Sequence, residues 1–178
     1  MHPFIRIRTI VSLGVFLLLS SCCAYAQSTG GVRIGVYDSR AVALAYYNSP
    51  SGQPKPQGLQ SEYAEAKAAG DQKKLKELEA AAIAMQELMH EQAFSTGSIS
   101  NVITVIKDKL PDIAKRAGVT LLVSRWDVAY RDPSIEYVDV TMPVVRLFSP
   151  GDKVLQWIAE LKNQEPVPID KLPRDIMK

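Results

Sequence analysis

Apolar positions along this chain alternate in two places and recur at three- and four-residue steps in several others. Val32, Ile34 and Val36 alternate with Arg33, Gly35 and Tyr37, which predicts a β-strand over 32–37. Asp38-Ser39 then stands where a helix N-cap belongs, and Arg40 to Tyr46 reads as a short helix. Residues 48–58 carry three prolines, two glycines and no apolar side chain, the composition of a loop or hinge. Helical spacing resumes at Leu59 and continues to Ala69. Gly70 inside a helix costs about 1 kcal/mol, and Asp71 is placed to cap a new helix running to about Phe94.

In that helix Leu75, Leu78, Ala82, Met85 and Met89 form one stripe, opposite Lys73, Lys76, Glu77, Glu87 and Glu91. After Ser95-Thr96-Gly97-Ser98 a second stripe follows: Ile99, Ile103, Ile106, Leu110, Ile113 and Ala117. Two apolar stripes joined by a short turn predict an antiparallel helical hairpin, 71–94 against 99–117. Pro111 either kinks the returning helix or begins a new one, and Gly118 closes it as a C-cap. Val119 to Val123 is the strongest strand pattern, and Trp126 to Tyr130 reads as a second edge that pairs with it. Val138 to Val145 suits strand or helix, with Asp139, Thr141 and Pro143 favouring a cap and first helical turn. Ser149 to Asp152 caps a final helix over Lys153 to Lys162, and the Pro-rich tail after Asn163 reads as extended. The expected fold is α/β, a small β-sheet body with a projecting antiparallel helical hairpin as a coiled-coil-like arm. Its parts are a first strand, helix and linker (27–58), an arm (59–118), a closing half of the body (119–163) and a tail (164–178).

Residues 1–26 read as a signal peptide. Arg6 and Arg8 precede an apolar run from Ile10 to Leu19, and Ala24-Tyr25-Ala26 offers a cleavage site. Leu19-Ser20-Ser21-Cys22 also fits a lipobox, in which Cys22 would carry a lipid anchor. The expected location is the periplasm, either free or tethered to a membrane face through Cys22. Both cysteines, Cys22 and Cys23, lie in this leader, so cleavage after Ala26 leaves no disulfide, thiol nucleophile or Cys-based metal site. Without Arg6 and Arg8 the remaining 19 Lys and Arg balance 19 Asp and Glu. A neutral body argues against nucleic acid, whose binding draws on a positive excess.

Catalytic chemistry has little to work with. His90 is the one histidine beyond the leader and sits in a helical stretch, which suits packing or solvation as well as catalysis. Asp38, Asp127 and Asp139 each follow or flank a strand end. Converging, they would make an acid/base pair or a ligand site, and Arg125 would hold an anion. Apart, Asp38 caps a helix, Asp127 occupies a turn and Asp139 caps the next segment. No Gly-rich phosphate loop, Gly-x-Ser-x-Gly elbow or His-Glu-x-x-His occurs. No cofactor or metal is expected.

Three segments carry a family resemblance. Ile34-Gly35-Val36-Tyr37-Asp38-Ser39-Arg40-Ala41-Val42 resembles the opening strand and turn of the OmpH-like, or Skp, periplasmic chaperones. Ile113 to Val123 resembles their return from arm to sheet, and Trp126 to Tyr130 with Val138 to Thr141 resembles the strand and closing segment beyond it. The resemblance implies a β-rich body that assembles copies into a trimer, and helical arms that hold unfolded outer-membrane polypeptides. It would give 32–37 and 119–130 to the body and 59–117 to the arm. This chain departs in a shorter arm, a neutral charge and the segment after Phe148. The function expected is a non-enzymatic holdase, with Leu78, Met85, Leu88, Met89, Ile103 and Ile106 facing the client. Flexible thioethers suit irregular apolar partners. The alternatives are an envelope adaptor for one folded partner, or a small hydrolase or ligand-binding domain using Asp38 and Asp127.

Overall fold

The Ala-rich run after the first strand decides the architecture. In the computed structural model, which describes residues 31–52 and 56–172 (56–58 in backbone alone), that strand is β1, Arg33–Tyr37. It leads into α1, Ser39–Tyr47, where Ala41, Val42, Ala43 and Ala45 are all buried. A helix apolar all round belongs inside a fold, and its small side chains let neighbours approach. Accordingly α1 packs against α3 (Gln72–Phe94), α4 (Ser100–Ile106), α6 (Thr141–Val145) and α7 (Asp152–Leu161).

The sheet is parallel throughout, in the order β2-β1-β3, with β2 at Leu121–Ser124 and β3 at Glu136–Asp139. Ile34 lies opposite Leu121 on one side and Tyr137 on the other. Parallel neighbours demand crossovers. The first runs through all the helices from α1 to α5 (Leu110–Ala117), and the second is the helix-free stretch 125–135. Trp126 to Tyr130 lies in that stretch as turn and irregular backbone, so it adds no strand beside β2. A longer second edge would have taken residues that the chain needs to return past β1.

Gly35 of β1 lies opposite Leu122 of β2. A Cβ there would stand 2.5 Å from Leu122 Cδ2 and 3.1 Å from Val119 Cγ2. Gly35→Val is therefore expected to destabilise the fold by about 1–3 kcal/mol through overpacking, read as a lower midpoint in urea unfolding.

The expected projecting hairpin is not formed. Helix α2, Pro56–Ala69, folds back onto α3 instead. Gly70 takes a left-handed turn at φ 67°, and the Asp71 side chain accepts the Lys74 N–H to start α3. Lys74 pairs with Glu62 at 3.1 Å, and the Tyr63 hydroxyl donates to Glu79 at 3.5 Å. The C-terminal end of α3 lies on α1 through Gln92 and Ala93. Gln92 accepts a hydrogen bond from the Tyr47 hydroxyl and donates to Ser98 O and Asn101 Oδ1, which pins the turn into α4.

The second stripe exists, yet it faces the core. Ile99, Val102, Ile106 and Ile113 are buried with α1, α6 and Phe148, and Ile103, Leu110 and Ala117 pack against them. Spacing fixes which side of a helix is apolar and leaves its partner open, and α1, with Ala41, Val42, Ala43 and Ala45 buried, offers the better one. Pro111 lies in the first turn of α5, where a missing N–H costs nothing, and Gly118 caps its end in the left-handed conformation. The leader, with Cys22, Cys23 and the expected cleavage site, lies outside the described residues. Among the described residues no helix is long and apolar enough to cross a membrane.

Candidate functional site

In parallel sheets ligands gather at the carboxyl ends of the strands. Here those ends bring together Asp38 after β1, Ser124 to Trp126 after β2 and Asp139 to Thr141 after β3. Asp38 is 3% exposed and Arg40 only 1%. Asp38 Oδ1 accepts from Arg40 N–H at 3.0 Å, Arg40 Nε at 3.2 Å and Trp126 Nε1 at 2.9 Å. Oδ2 accepts from Arg40 Nη2 at 2.9 Å. The Asp38 backbone N–H donates to Thr141 Oγ1 at 3.0 Å, and Arg40 Nη2 reaches Leu161 O at 3.5 Å. The guanidinium lies 4.6 Å from the centre of the Trp126 ring. One buried ion pair thus joins β1, α1, the loop after β2, α6 and the end of α7.

Burial by itself would raise the Asp38 carboxyl, but hydrogen bonds from Arg40 and Trp126 and the Arg40 charge outweigh it and hold it low. A carboxylate so engaged is a weak base: three donors crowd Oδ1, and Oδ2 is held by the Arg40 guanidinium. Its role is to cap α1 and lock the sheet's end.

Two clefts open at this end, and they divide the aspartates. A cavity of about 240 Å³ is lined by Asp38, Asp139, Thr141 and Arg125 at one side and by Met142, Leu155 and Ile158 at the other. Asp139 Oδ1 accepts the Thr141 N–H there, starting α6. Asp127 lines a separate cleft of about 330 Å³ with Tyr37, Ser39, Thr96, Ser98 and Ser124. Asp38 and Asp127 therefore line different clefts, whereas Asp38 and Asp139 share the first. Arg125 stacks 5.2 Å from the Trp126 ring centre. His90 sits edge-on to Phe94, with ring centres 5.7 Å apart on the same helix. Among the described residues no group of three or more His, Cys, Asp or Glu is placed to hold a metal ion.

The six residues expected to face a client separate into two sets. Ile106 is 3% exposed in the core, Ile103 packs against it, and Leu78 is buried on α3, which pairs there with α2. Met85 and Met89 are half-buried and Leu88 is 41% exposed. From Glu79 to Glu91, α3 holds no buried residue at all. Ala81, Ala84, Met85 and Leu88 recur there at helical spacing, an apolar strip along one side of the helix with Met89 beside it.

Sequence reasoning missed Arg40, Trp126 and Thr141 as members of the buried cluster. The available signal was an Asp-x-Arg step at the end of a buried strand, where a charge that enters the core needs a partner nearby. It also read Ser95 to Ser98 as a turn alone, although Thr96 and Ser98 wall the second cleft. Comparison with protein-family models, curated proteins and solved structures gave no match to this chain.

Proposed function

We propose that this protein binds polypeptide without catalysis, as a holdase of the kind its sequence resembles, through the exposed side of α3. The observation that carries this reading is the stretch from Glu79 to Glu91, unburied along more than three turns yet bearing Met85, Leu88 and Met89. Apolar strips left uncovered on a folded domain mark contact surfaces. Methionines let such a surface repack around different partners. Glu87 and Glu91 lie beside it and the chain beyond residue 26 is formally neutral, so attraction is apolar and weakly dependent on salt.

The client surface in this reading lies along a helix that rests on the body, and no space between projecting arms is needed. Export to the periplasm and assembly of several copies, three by the resemblance, complete the proposal. Copies would multiply weak helix contacts into useful avidity.

The test is dilution of a urea-denatured outer-membrane β-barrel protein into buffer containing this chain. Equimolar chain is expected to keep the client soluble, as followed by light scattering. Leu88→Glu is expected to weaken that holding about tenfold or more, while thermal unfolding shifts little because the position is exposed. Aggregation unchanged by the wild-type chain would reject the holdase reading. Retention of one folded envelope protein in its place would favour the adaptor role.

A further inference from the structure

The second cleft has a chemistry of its own. It opens where β1 and β2 end, beneath the turn from α3 to α4, and shares no residue with the cavity beside Asp38. Its polar lining is almost wholly hydroxyl: Tyr37, Ser39, Thr96, Ser98 and Ser124, with Asp127 as the one charged group. No Lys or Arg lines it. Ile99 and Ile103 supply an apolar patch in the same wall.

We propose that this cleft binds a neutral saccharide. Each hydroxyl both donates and accepts, so a ring of them matches a ligand whose own groups do the same. A carboxylate accepts from two adjacent sugar hydroxyls at once and repels phosphate or carboxylate ligands. The isoleucines offer a surface for the C–H face of a pyranose ring. A volume of about 330 Å³ falls at the small end of ligand sites.

Ser39 points the same way. It is 5% exposed and lies at the first position of α1, where it lines the cleft. Tyr37 contributes as a donor, because burial and then the nearby Asp127 charge both push its ionisation up and keep its proton on.

Amide chemical shifts of the full chain titrated with cellobiose and with N,N′-diacetylchitobiose test this. Saturable shifts are expected at residues 96–100 and 124–127 with at least one disaccharide, and none with inorganic phosphate. Ser39→Ala is expected to weaken binding about threefold to tenfold, and Asp127→Asn about tenfold or more. Both variants should unfold close to the wild-type temperature, so that lost binding is read on an intact fold. Leu88→Glu should bind sugar normally, which separates this site from the α3 strip. Absence of saturable shifts with both disaccharides overturns the proposal. So does preference for phosphate, or wild-type affinity in both cleft variants.

Discussion

Arg40→Met is expected to lower folding stability by about 3–5 kcal/mol. Removing one partner of a buried ion pair strands the other charge away from water. Asp38 would keep only the Arg40 N–H and Trp126 as donors. Domains of this size are stable by about 5–15 kcal/mol, so the variant should sit close to unfolding at room temperature. Urea denaturation of the two chains reads the difference directly. A second comparison separates charge from packing: Asp38→Leu with Arg40→Met together should cost less than Arg40→Met alone, because both charges then leave the core.

The same pair governs acid behaviour. The Asp38 carboxyl titrates lower folded than unfolded, because Arg40 and Trp126 hold its charged form despite the burial that opposes it. Its stabilising contribution is therefore complete above the ordinary unfolded value of about 3.9. It is lost as pH falls from there through the lower folded value. In urea unfolding between pH 7 and pH 2.5, Asp38→Asn should lose stability at neutral pH, and its deficit against wild type should shrink below about pH 4. A deficit constant with pH would mean that the folded carboxyl is not held low.

Ile106→Ala is expected to cost about 2–5 kcal/mol, as for a fully buried aliphatic residue. Its side chain lies among Val102, Ile113 and Val145 rather than on a client-facing surface. Leu88→Ala, at a comparable apolar residue of the same predicted partner set, should fall within about 0.5 kcal/mol of wild type. Equal losses at the two positions would contradict the division of that set between core and surface.

These two positions also show what the sequence could and could not reveal. The stripe containing Ile106 was legible because the three- and four-residue spacing records which side of a helix avoids water. Its partner was illegible, since an apolar side carries no address. The hairpin expectation gave it to α3 because a short turn joins them, whereas Ala41, Val42 and Ala45 of α1 provide closer packing. Caps read more faithfully: Asp38, Asp71 and Gly118 act locally, through bonds to residues a few positions away. The candidate sites needed long-range information. Nothing local links Ser39 with Thr96 and Asp127, which only the β2-β1 pairing and the α3–α4 turn bring to one cleft.

The strand order carries a kinetic consequence. β1 is the central strand, yet its partners arrive 87 and 103 residues later, at Leu121 and Tyr137 opposite Ile34. Contacts so remote in the chain close slowly. A ribosome making this protein adds 87 residues after Ile34 before the innermost strand can meet its first neighbour. Until then β1 has no strand of its own sheet to pair with, and both its edges stay open to strands of other chains.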